Sequence, residues 1–110
     1  MPLEQAQIPV TDPAVTIGWS VFETLRSDDS GTPRRLPQHL SRLKRSCQTA
    51  TIEMQDESHI SAEVLQVAQK LGAARIRITL SGSGFRVVVG QTFDRARFGQ
   101  PVRAARGIWR

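Results

Sequence analysis

Three side chains in the first half of the chain have the types and spacing that recognition of an anion requires: His39, Arg42 and Ser46. On a helix, intervals of three and four residues stack side chains into one strip. Beside that strip runs a second periodicity, Leu36, Leu40, Leu43, Cys47 and Ala50, which reads as an apolar stripe facing a sheet. A guanidinium at the margin of such a stripe is partly shielded from water, where it can hold a phosphate or carboxylate by two parallel hydrogen bonds. Arg42 is therefore the best-placed anion ligand. The competing reading is a solvated flank residue whose stem covers apolar surface and whose head meets a carboxylate such as Glu23. Lys44, Arg45 and Gln48 are expected to point elsewhere. His39 reads as a helix-start histidine, because no carboxylate or nucleophile stands at a telling spacing from it.

The elements that must position these residues follow from pattern. Val15 to Arg26 is rich in β-branched and aromatic residues, which predicts a strand with Val21, Glu23 and Leu25 on one face and Phe22, Thr24 and Arg26 on the other. Ser27 to Pro33 is dense in turn formers and should reverse the chain, with Arg34 to Leu36 as a short return strand. Pro37 suits the first turn of the helix that carries His39 and Arg42. After Asp56-Glu57-Ser58, the residues Ile60, Val64, Val67, Ala68 and Leu71 repeat the helical period. Glu63, Gln66, Gln69 and Lys70 are expected outside, with Gly72 as the stop. Arg75 to Leu80 alternates strictly, Ser81 to Gly84 turns, and Phe85 to Val89 returns as a hairpin. The strands show no aromatic expected to be exposed.

A chain of 110 residues suits one domain with a modest core. The reading is a Pro-containing arm over 1–14, a small α+β domain over 15–93, and a linker over 94–110 leading to a missing second domain. No apolar run reaches the roughly 20 residues of a membrane helix, and no secretory signal is read at Met1 to Gln5, so the cytoplasm is expected. Cys47 is the single cysteine, and His39 and His59 stand alone, so neither a disulfide nor a metal is expected. Thirteen of the 15 cations are arginine and the net charge is +5, which suits an anionic partner, although an arginine-rich proteome would give the same bias.

Ser20-Val21-Phe22-Glu23-Thr24-Leu25-Arg26, a polar turn, and then Leu36-Pro37-Gln38-His39-Leu40-Ser41-Arg42-Leu43-Lys44-Arg45-Ser46 together resemble the start of class IV aminotransferases. That family includes branched-chain and D-amino acid aminotransferases and aminodeoxychorismate lyases. The resemblance covers Val15 to Val89 and rests on a strand with V-(F/Y)-E and a helix with H-x-x-R-L-x-x-S. It implies the small lobe of that fold, an antiparallel sheet with two helices on one face. It also implies pyridoxal phosphate as cofactor, with Arg42 on the cofactor phosphate, and Phe22, His39 and Glu23 on the substrate side. A small-molecule substrate of amino acid or aminochorismate type and a homodimer are implied in the same way, with no nucleic-acid or membrane partner.

The chain also departs from the family. Relatives carry the Schiff-base lysine in a second, larger domain, and the two lysines here, Lys44 and Lys70, match no catalytic position, so the isolated chain is expected to be inactive. The turn Ser81 to Gly84 carries no cation, unlike the substrate-carboxylate loop of D-amino acid enzymes. Two other classes compete: a basic nucleic-acid-binding module, motivated by Arg34, Arg35, Arg42, Lys44, Arg45 and the arginine-rich tail, and a non-catalytic dimerisation domain.

Overall fold

The computed structural model describes residues 18–93; the expected arm, the linker and the first residues of the expected strand at 15–17 lie outside the described residues. In chain order the elements are β1 (Ser20–Ser27), α1 (Leu36–Ala50), α2 (Glu57–Leu71), β2 (Ala74–Ser81) and β3 (Arg86–Thr92). The strands form one antiparallel sheet in the order β1-β2-β3. The architecture is α+β, as the sequence predicts.

Register assigns the two faces. Glu23, Ile78 and Val88 share one row, and Leu25, Ile76 and Gly90 the next. Both helices cover this face: a Cβ on Gly90 would meet Val67 and Leu71 of α2 within 2.7 Å, and His39 of α1 reaches Glu23. Leu43, Cys47, Ile60, Val64, Ile76, Ile78, Leu80 and Val88 fill the space between the layers with almost no exposure. Each such side chain contributes about 1.5–3 kcal/mol by leaving water. The opposite face carries the rows Phe22, Thr79, Val87; Thr24, Arg77, Val89; and Arg26, Arg75, Gln91, and neither helix covers it.

Local chemistry sets the helix ends. Asp56 caps α2 by accepting from the Ser58 backbone N–H at 2.8 Å, and Gly72, at φ 71°, closes it with an N–H to the Ala68 carbonyl. Helix α1 begins without a side-chain cap, on Arg35 at φ 53°, with Pro37 in its first turn.

Two expectations are corrected. Arg34 to Leu36 is not a return strand: the pairing stops at one bridge, Ser27 to Pro33, because Pro33 has no N–H to extend a ladder and Leu36 already opens α1. Glu63 is not on the outer face of α2. It is 8% exposed, because Arg86 of β3 reaches up to it, Nε to Oε1 at 2.5 Å. The same guanidinium donates from Nη1 to Gln55 Oε1 at 2.6 Å, and Gln55 Nε2 donates to the Gly84 carbonyl, so the pair also pins the β2–β3 turn.

Candidate functional site

The strand motif and the helix motif converge on one carboxylate. Glu23 projects from β1 toward α1 and is 7% exposed. Its Oε2 is hydrogen-bonded to His39 Nδ1, and its Oε1 lies 3.7 Å from Arg42 Nε. The expectation that His39 has no carboxylate near it is thus overturned. The partner stands sixteen residues upstream, and the turn at 27–35 folds the two together. A buried carboxylate needs such donors, since leaving water without them is costly.

Arg42 stands on the rim. Its side chain is 63% exposed, so its ion pair with Glu23 is solvent-screened and contributes no more than about 1 kcal/mol. Arg42 meets Glu23 through Nε, as the flank reading expects, and the rest of its guanidinium stands largely open on a cleft. That cleft is open, about 470 Å³, and lined by Val21, Glu23, Arg42, Arg45, Ser46 and Thr49 among others. Arg45 does not point elsewhere. Arg42, Arg45, Ser46 and Thr49 fall at i, i+3, i+4 and i+7, so α1 sets two cations and two hydroxyls along one edge of the cleft. The same spacing stands in the sequence, on the strip of α1 that borders its apolar stripe.

Phe22 is on the other side of the sheet. It is 54% exposed, and the Arg77 guanidinium lies 4.0 Å from its ring centroid. Phe93, 45% exposed, lies beneath the guanidiniums of both Arg26 and Arg75. The expectation that the strands expose no aromatic is corrected accordingly. Of the expected site residues, the structure brings together Glu23, His39 and Arg42 and holds Phe22 on the uncovered face. Lys44 and Lys70 are both exposed, and neither lines the Arg42 cleft.

Comparison with known proteins gives a consistent answer. No curated protein sequence matches the chain significantly. Among solved structures, the chain is similar to the branched-chain amino acid aminotransferase of Escherichia coli, at 29% identity and TM-score 0.64 over 72% of this chain and 28% of that one. It is similar to a fold IV transaminase of Curtobacterium pusillum, at 27% identity and TM-score 0.65 over 72% of this chain and 29% of that one. It is also similar to the 4-amino-4-deoxychorismate lyase of Pseudomonas aeruginosa, at 26% identity and TM-score 0.62 over 96% of this chain and 37% of that one. The chain thus spans only about a third of the length of these structures. The profile of the family described as amino-transferase class IV matches residues 20–98, a span that holds both motifs and all five elements. On that match, the chain belongs to the class IV amino-transferase family.

Proposed function

We propose that this chain is the small-lobe part of a pyridoxal-phosphate-dependent aminotransferase or aminodeoxychorismate lyase, in which Arg42 holds the cofactor phosphate. The observation that carries this reading is the cleft beside Glu23, where an exposed guanidinium stands next to a second cation and two hydroxyls. The donor set fits a phosphate dianion. Arg42 and Arg45 supply charge and N–H groups, Ser46 and Thr49 supply hydroxyl donors, and the one carboxylate at the cleft already serves His39.

When bound, the cofactor supplies an electron sink for chemistry at an amino-bearing carbon. In this reading the chain's own residues bind and orient. Arg42 grips the phosphate through the N–H groups that Glu23 does not engage. Glu23 restrains the Arg42 and His39 side chains, so that less rotamer freedom is lost on binding. The attacking lysine belongs to a lobe outside this chain, which accords with the exposed placement of Lys44 and Lys70. The substrate is an amino acid or an aminochorismate, with Phe22 on its side of the lobe, and the working unit is a homodimer.

In a protein extended into the second lobe, Arg42→Ala should weaken cofactor retention by about tenfold or more, the equivalent of one charge-assisted contact of about 1.5–3 kcal/mol. Bound-cofactor absorbance after dialysis reads this directly. Equal retention by both proteins would remove Arg42 from the phosphate. A second reading, binding of single-stranded nucleic acid, draws on the Phe22–Arg77 stack. It predicts salt-dependent binding of an oligonucleotide that Phe22→Ala weakens.

A further inference from the structure

Glu23 divides its two oxygens between partners of different kinds. Oε2 is hydrogen-bonded to His39 Nδ1, whereas Oε1 lies 3.7 Å from Arg42 Nε, beyond the reach of a hydrogen bond. Charge rather than a directed bond therefore holds Arg42, and the strength of that hold follows the net charge that the carboxylate and its histidine present together. Histidine is the side chain that changes charge closest to neutral pH. We propose that His39 is a positioning residue for Arg42, acting through Glu23: a proton on His39 offsets the carboxylate and frees the Arg42 guanidinium for an anion in the cleft. The gain in anion affinity rests on the reading of Arg42 as the phosphate ligand, while the link among the three side chains does not.

Three features support it. The side chains of His39 and Glu23 are 19% and 8% exposed, and charges so poorly solvated act on one another more strongly than they would in water. Arg42, largely exposed, is free to swing outward once the attraction weakens. His39 and Arg42 stand three residues apart on α1, where like charges repel, so a charged ring also pushes the guanidinium away directly. Finally, His39 lines a second open depression that Arg42 does not share, so a proton reaches the ring from water without entering the Arg42 cleft.

The remaining charges around the pair are constant. Arg26 of β1, Arg34 and Arg35 before α1, and Arg75 of β2 line the depression with His39, and Arg45 of α1 lines the cleft with Glu23. Arginine keeps its proton throughout the histidine range. The proton exchanged across that range thus belongs to the Glu23–His39 pair as a unit, and Arg42 feels its arrival as the loss of one facing negative charge.

The test follows the Arg42 Nε and His39 ring-nitrogen resonances of the 110-residue chain over about pH 5 to 8, first without added anion and then with sulfate, whose charge is fixed in this range, against sodium chloride at matched ionic strength. Without anion, the Arg42 signal should move with the His39 midpoint, a response that a purely structural His39 would not produce. His39→Asn keeps a neutral donor near the place of Nδ1 and cannot take the proton, so the Arg42 signal should then stay flat in a folded chain. Glu23→Gln should leave His39 titrating and Arg42 unmoved. Sulfate should bind up to about fivefold more tightly below the midpoint than above it, the ceiling for a solvent-screened pair, and equally at both ends in His39→Asn. An Arg42 signal that ignores His39 in the unaltered chain would overturn the proposal, as would a response that survives in Glu23→Gln or a pH-dependent sulfate affinity that survives in His39→Asn. A coupled response with no sulfate bound at Arg42 would uphold the coupling and take the phosphate away from Arg42.

Discussion

At opposite edges of the sheet a glutamate meets an arginine, and the two meetings differ in everything except residue type. Glu63 and Arg86 join α2 to β3 with both side chains about nine-tenths buried. Glu23 and Arg42 join β1 to α1 with the carboxylate buried and the guanidinium 63% exposed. The first arginine spends its donors inside the protein, on Glu63 and Gln55. The second keeps most of its donors outside. A family motif and a bare ion pair look alike in a list of contacts. Exposure of the cation separates a residue that holds the fold from one that can hold something else.

Cutting each pair in turn would break or sharpen this contrast. The largest effect is expected at the closed edge: Arg86→Ala should destabilise the chain by about 3–5 kcal/mol, because it takes the paired guanidinium away from a buried carboxylate. Denaturant titration reads this, and replacing Glu63 and Arg86 together by leucine and methionine should restore much of the loss. Next comes Glu23→Ala, which removes the partner of His39 and should cost about 1–3 kcal/mol. Arg42→Ala should change stability by no more than about 1 kcal/mol, the limit for a solvent-screened pair, even where it weakens cofactor retention. If Arg42→Ala proves as destabilising as Arg86→Ala, the contrast fails.

The smallest effect concerns acid. Hydrogen bonds from Ser30 and Thr32 hold the Asp28 carboxyl below the usual aspartate range, and those from Ser58 do the same for Asp56. A carboxyl whose folded pKa lies below its unfolded one contributes stability above the usual range and loses it as pH falls through the lowered value. Asp28→Asn with Asp56→Asn should therefore lower the neutral plateau of a stability–pH profile slightly and flatten its acid limb. Burial pushes the Cys47 thiol up instead, so a thiol reagent at neutral pH should modify it only as fast as the chain opens.

How much of this was legible in the sequence depends on range. The stripe of α1, the alternation of β2 and the stop at Gly72 are local patterns, and the structure follows them. Helical periodicity points Glu63 outward because it sees only its own helix, while the charge that draws it inward comes from Arg86, across two turns and a strand. Glu23 and His39 belong to separate motifs sixteen residues apart. The sequence marks both residues but not the hydrogen bond between them, which depends on how the turn at 27–35 closes. Alternation groups Phe22 with Thr24 and Arg26 on one side of its strand. That this side stays open follows only once both helices are known to pack on the other.

Trp19 joins three parts of the chain at one end of the sheet. Its indole N–H donates to the Ala50 carbonyl at 2.7 Å, its own carbonyl accepts from Gly82, and its ring lies where a Cβ on residue 82 would fall. With Trp109 replaced by phenylalanine, its fluorescence becomes a single-site optical gauge of this joint. Loosening of α1 or of the hairpin turn would shift the emission to the red before the rest of the sheet reports any change.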